Sequence, residues 1–298
     1  MDALWKFYDS NRDSYLKLTD EELQYLHSLL LDMLRDLTDF CKERGLVFYL
    51  GGGSMLGAVR HHGMVPWDDD IDLNMPRESF ERLIREFPSW KPDKYELIAP
   101  GSANPGPYNF GKIKLKGTVL MEIIGDPEHP EVFLDIFPIE YASESRLLRR
   151  LFSFWAEALR NMSYPMFMTK SWKTSIKPGL KNCGFSTRLF MRLGYIAGRV
   201  LSVVPLEKWN ALFNKTVQRR KTGWTAIPTA AHGYMGDIWP ASYWEESVEM
   251  DFDGVPVLVS AHYDELLKKQ YGDYMTPPPP EKRAGHYFLR IDLKGEGK

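Results

Sequence analysis

Only two cysteines occur in 298 residues, so no disulfide framework holds this chain together. Neither Cys41 nor Cys183 sits in a ligand-spaced pair, which argues against a thiolate zinc site. Apolar runs are short, and none approaches the roughly 18–20 residues that a spanning helix needs. The start, Met1-Asp2-Ala3-Leu4-Trp5-Lys6, carries neither the basic stretch nor the apolar run of a secretory signal. These features predict a cytoplasmic protein in a reducing compartment. No internal repeat is present, and the spacing of a calcium-binding loop is missing. The net charge is small, −2, but it is segregated. Residues 146–221 hold sixteen Lys or Arg against two acids, a local +14 that leaves −16 elsewhere. Such segregation points to a partner of defined sign. Aromatics reach 13%, with nine Trp, and serve either core packing or a site for sugar rings or a cationic headgroup.

Thr19-Asp20-Glu21-Glu22 has the form of a capping box. Behind it Leu23, Leu26, Leu30, Met33, Leu34, Leu37 and Phe40 recur at helical spacing, and Gly45 supplies a stop. The run 46–50 reads as a buried strand that opens into a glycine loop. Pro76 begins a second helix, and Lys112 to Met121 reads as a hairpin turning at Lys116-Gly117. Val132 to Phe137 is a further strand, stopped by Pro138. This order describes an α/β core finishing near Tyr141. Two basic amphipathic helices follow, one with Leu147, Leu148, Leu151, Phe152 and Trp155, the other with Leu189, Phe190, Leu193, Ile196 and Val200. They either meet an anionic membrane or pack a helical lobe on the core with Arg toward solvent. Phe252 to Val259 reads as a hairpin around Asp253-Gly254, Tyr263 to Gln270 as a short helix, and Pro277 to Pro280 as a stiff connector.

Chemistry concentrates in Gly51 to Leu73. A glycine-rich turn leaving a strand lets backbone amides approach a phosphate. Asp70 and Asp72 alternate with Ile71 and Leu73, so at strand period both carboxylates share one face. Asp135 sits among apolar neighbours, a costly place for an unpartnered charge. Converging carboxylates call for a divalent cation, and Mg²⁺ favours carboxylates together with substrate phosphates. Arg60 is a candidate partner for phosphate or for Asp68 or Asp69. Asp68 and Asp69 are either groups that orient the ligands or a solvated turn. Lys112 and Lys114 are weaker phosphate candidates, and His61 and His62 read as a loop pair. Trp67 adjoins the acids. His286 is a lone histidine that also suits a core or loop role.

The string Gly53-Ser54-Met55-Leu56-Gly57-Ala58-Val59-Arg60 through Pro66-Trp67-Asp68-Asp69-Asp70-Ile71-Asp72 is similar to the signature of the LicD family within the nucleotidyltransferase superfamily. Leu134-Asp135-Ile136-Phe137-Pro138 resembles it too, as does Tyr271-Gly272-Asp273-Tyr274-Met275 with the later His286. The resemblance runs from about Gly51 to His286 and thins over 145–223. It implies an α/β (α+β) fold: a mixed sheet flanked by helices over 1–144, a basic helical lobe over 145–224, and a segment over 225–298 returning to the core. It also implies transfer of a phospho-substituent, foremost phosphocholine from CDP-choline, to a glycan hydroxyl with release of CMP. Phosphoethanolamine or a polyol phosphate are alternative cargoes. In that frame Asp70 and Asp72 hold Mg²⁺, with Mn²⁺ as the alternative ion, and Asp135 shares the metal or takes the acceptor's proton. Gly52, Gly53 and Ser54 contact donor phosphate, with Arg60 and Lys112 as further candidates. Trp67, Tyr271, Tyr274 and His286 are candidate substrate contacts. The acceptor is expected to be lipid-linked, with 146–221 touching an anionic membrane. The rivals are a nucleoside-triphosphate-dependent nucleotidyltransferase and a non-catalytic glycan- or nucleotide-binding scaffold. No nucleic-acid motif accompanies the basic segment, so no nucleic-acid partner is expected.

Overall fold

The computed structural model describes residues 2–123, 125–279, 283 and 286–296. A helix α1 (Asp2–Ser10) precedes α2 (Asp20–Arg44). The capping box forms as expected: the Glu22 amide donates to Thr19 Oγ1, and the Thr19 amide donates to the Glu22 carboxylate. Gly45 closes α2 in the left-handed region at φ 62°. Only Tyr49–Leu50 of the expected strand is extended (β1), and the glycines behind it open a helix, α3 (Gly52–His61), instead of a loop. His61 is thus the last residue of α3 and His62 its left-handed cap.

Next come β2 (Asp72–Pro76), α4 (Arg77–Glu86), β3 (Tyr95–Ile98), β4 (Gly111–Leu115), β5 (Val119–Glu122) and β6 (Phe133–Ala142). The predicted hairpin across Lys116-Gly117 does not form. β4 pairs with β3 and β6, whereas β5 pairs with β11 (Phe288–Asp292). Two strands joined by a short turn are therefore claimed by different sheets. Pro138 does not stop β6 either. The Asp135 amide donates toward β2, so Pro138 turns its nitrogen to the opposite edge. There β6 exchanges one partner for another: 133–136 pair with β4, and 140–142 pair with β7 (Trp224–Ala226). A missing N–H in that gap forfeits no ladder bond.

The main sheet is mixed, in the order β1-β2-β6-β4-β3, with β7 joined to β6 and β8 (Ile238–Pro240) joined to β7. β2 and β6 are its parallel pair. The fold is α+β. Its core gathers Leu30, Leu34 and Leu37 of α2, Ile71 just before β2, Leu73, Leu134 and Ile136 of the central strands, and Leu266 and Leu267 of α10 (Tyr263–Tyr271). The hairpin of β9 (Ser247–Phe252) and β10 (Val255–Ser260) turns where expected, with positive φ at Asp253 and Gly254. Between β6 and β7 lie α5 (Arg146–Lys170), the single turn α6 (Lys177–Gly179), α7 (Phe185–Leu201) and α8 (Leu206–Val217), and another single turn, α9 (Gly233–Gly236), precedes β8. Pro277 to Pro279 adopt no regular structure, and Pro280 lies outside the described residues.

Candidate active site

The alternation read from 70–73 holds in burial. Ile71 and Leu73 are fully covered, while Asp70 and Asp72 are partly exposed and line one cavity. Only Asp72 is in the strand, since β2 starts there. Register then builds a polar row across the sheet: Asp72 lies opposite Asp135, and Asp135 lies opposite Lys112. Lys112 is buried and its Nζ stands 2.8 Å from Asp135 Oδ1. Its charge is thus spent on Asp135, with Glu122 4.0 Å away, and it does not line the cavity as a free phosphate ligand.

Against this row stands the N-terminus of α3. The Gly51 amide donates to the Asp72 carbonyl, and the Asp72 amide donates to Ser54 Oγ at 2.9 Å. Ser54 therefore faces the strand and is buried, not turned into the cavity as a phosphate contact. The two glycines are required by close approach. A Cβ at Gly52, where φ is +44°, would meet Asp72 Oδ2 at 2.8 Å, and one at Gly53 would meet Asp68 Oδ2 at 2.5 Å. No side chain caps α3, so its first amides stay available to an anion.

The cavity encloses about 470 Å³. It brings together Gly53, Arg60, Trp67, Asp68, Asp70, Asp72, Tyr271, Tyr274 and His286, which are separated by up to 233 positions in the chain. Arg60 makes no ion pair with Asp68 or Asp69. Its guanidinium donates to the Tyr274 carbonyl at 2.7 Å and so ties α3 to the segment behind α10. Asp69 turns inward, is buried, and accepts both the His286 amide and its Nδ1–H, the latter at 2.5 Å. This hydrogen bond raises the His286 imidazole to about 10 and fixes the C-terminal segment over the acids.

Asp68, Asp70 and Asp72 have no Lys, Arg or His within ion-pair distance among the described residues. Burial, then Asp69, raises Asp68 to about 6, and burial, then Asp135 and Asp68, raises Asp72 to about 7. Asp70 is raised well above the usual carboxylate range, first by burial and then by Asp72. Uncompensated acids that resist ionisation are a donor set whose repulsion a divalent cation would relieve. Oxygen donors of this kind fit Mg²⁺ or Mn²⁺. Asp69, Asp70 and His286 also bring their ligand atoms within 4.8 Å of one another, although the Asp69–His286 hydrogen bond already engages two of them.

Sequence reasoning passed over Asp273, Thr276 and Arg283. Asp273 and Thr276 line the cavity, and Arg283 lies over one face of Trp67 at 4.2 Å. Asp273 stands inside the string that resembles the family, which was its available signal. Glu122 has none, because only the pairing of β5 outside the hairpin brings it near Lys112.

A mixed sheet with acids on adjacent strands, facing a helix opened by glycines, is the arrangement expected of a nucleotidyltransferase-type domain. Residues 45–102 match the model of the LicD/FKTN/FKRP nucleotidyltransferase domain. The chain is 25% identical over 295 residues to the lipopolysaccharide cholinephosphotransferase LicD of Haemophilus influenzae, spanning 91% of this chain and 97% of that one. The matched domain and the similarity over nearly the whole chain both support the LicD family. A shorter stretch of 46 residues is 39% identical to the ribitol 5-phosphate transferase FKRP of human and of mouse, covering 15% of this chain and 9% of theirs.

Proposed function

We propose that this protein transfers phosphocholine from CDP-choline to a glycan hydroxyl and releases CMP. The observation that carries the reading is the uncompensated cluster of Asp68, Asp70 and Asp72 beside the open N-terminus of α3, in a chain alike over nearly its whole length to a cholinephosphotransferase. Asp70 and Asp72 hold the Mg²⁺, which when bound neutralises charge on the donor diphosphate. The amides of Gly52 and Gly53 meet phosphate oxygens from the other side. Asp135, neighbour to Asp72 and oriented by Lys112, accepts the proton of the acceptor hydroxyl. The acceptor oxygen attacks the phosphorus bearing choline, the bond from that phosphorus to the bridging oxygen breaks, and CMP leaves. Trp67 and Tyr271 offer aromatic faces to the quaternary ammonium. A polyol phosphate is the second reading, favoured by the local likeness to FKRP. We place the reaction in the cytoplasm, with a lipid-linked acceptor.

CMP release from CDP-choline, CDP-ethanolamine and CDP-ribitol, with glycan acceptors and with Mg²⁺ or EDTA, tests this. Release should need metal and fall roughly 10²–10³-fold in Asp70→Asn and Asp72→Asn, the scale of losing one transition-state stabiliser. Equal release by wild type and variants would overturn the assigned site. Pyrophosphate from CTP in place of CMP would favour a nucleoside-triphosphate-dependent nucleotidyltransferase.

A further inference from the structure

Helix α7 is turned inside out relative to an ordinary amphipathic helix. On α7 the residues facing the protein are small or few: Thr187, Met191 and Gly198 are its buried positions. The crossing with α5 is close enough that a Cβ at Gly198 would collide with the Pro165 carbonyl, and one at Gly194 would meet Met168 Sδ at 2.5 Å. The larger apolar residues point the other way. Phe185, Leu189, Leu193, Ile196 and Val200 follow at steps of four or three, a stripe roughly 80° wide at about 100° per residue, opposite the buried face, and Val203 follows in the turn behind the helix. Phe185 and Val203 are 80% and 83% exposed, and Val200 is 66% exposed. Arg188, Arg192 and Arg199 run along one edge of the stripe. The first turns of α5 repeat the arrangement, with Leu147, Leu151, Phe154 and Trp155 at least half exposed beside Arg146 and Arg150.

An exposed apolar surface of this extent is a contact surface. Its charge decides what covers it. The segment carries +14, so a second copy laid on the same face would bring arginine against arginine. An anionic bilayer satisfies both features at once: the stripe enters the acyl boundary while the guanidinium groups reach the phosphates above it. Geometry favours lying in the surface over crossing it. α7 has 17 residues, about 25 Å of helix, with arginines distributed along it, and the chain bends by 87° into α8. α8 returns to the protein and buries Leu206, Asn210, Phe213 and Val217. Among the described residues no single helix is long and apolar enough to cross a membrane.

We propose that α7, aided by the N-terminal turns of α5, is an in-plane anchor that docks the protein on anionic lipid surfaces. The inference stands on exposure and charge and is independent of the donor chemistry. Its test reads binding alone: the full chain is sedimented with vesicles of phosphatidylcholine, with or without an equal share of phosphatidylglycerol. Wild type should partition onto the anionic vesicles and be released by high salt. The triple variant Arg188→Gln/Arg192→Gln/Arg199→Gln should lose roughly 100-fold in partitioning. Leu193→Ser/Ile196→Ser/Val200→Ser should lose at least about 10-fold while melting like wild type. Should the serine variant fail to fold, the arginine variant alone decides. Partitioning that neither variant changes, or a dimer in light scattering that the serine variant dissolves, would overturn the anchor.

Discussion

The sheet and helix α7 obey opposite rules within one chain. In β2 and β6 the apolar residues Leu73, Leu134 and Ile136 are wholly buried, as is Ile71 just before β2, and the charges share the other face. In α7 the apolar residues are outside, and the buried face is made of threonine, methionine and glycine. Both regions are periodic. Periodicity shows which residues share a face, but not what that face meets. In the lobe the better guide is the small residues, because Gly194 and Gly198 mark where another helix comes close.

The contrast breaks most visibly through stability. Leu134→Ala opens a cavity in the core and should cost about 2–5 kcal/mol, whereas Leu193→Ala should stay within about 0.5 kcal/mol. Denaturant unfolding of both variants measures this, and similar losses would abolish the distinction between the regions.

A smaller effect comes from the acids. Asp68 and Asp72 are raised to about 6 and about 7 in the folded protein, above their unfolded values. The fold therefore binds these protons more tightly than the unfolded chain, and stability should fall as pH rises from about 4 through 7. His286, raised to about 10, contributes stability that is complete below about 6.5 and is lost toward 10, so the window from pH 4 to 6.5 isolates the carboxylates. In EDTA the melting temperature should decline across that window, by about 2–4 °C per kcal/mol. Asp72→Asn should flatten the decline, and Mg²⁺ should reverse it. A flat wild-type profile in EDTA would contradict the electrostatic reading.

Much of this was legible in the chain itself. Thr19, Glu22 and Gly45 delimit α2, Asp253-Gly254 turns its hairpin, and the alternation at 70–73 sets two acids on one side because local rules govern each. The misreadings arise where a distant partner decides. Lys112 is committed to Asp135, 23 positions away, and Ser54 to the Asp72 amide. Pro138 survives inside β6 only because the neighbouring strand changes there. The amphipathic helices stayed open for a different reason. Basic residues beside an apolar stripe fit packing and membrane docking equally, and the sequence does not record which apolar residues stay exposed.

Calorimetric titration with CDP-choline shows whether Asp68, Asp70 and Asp72 and the start of α3 form one metal-dependent nucleotide site. Wild type in Mg²⁺ should bind saturably, and binding should vanish in EDTA and in Asp70→Asn. Equal affinity under all three conditions would mean that these acids and a metal do not hold the nucleotide.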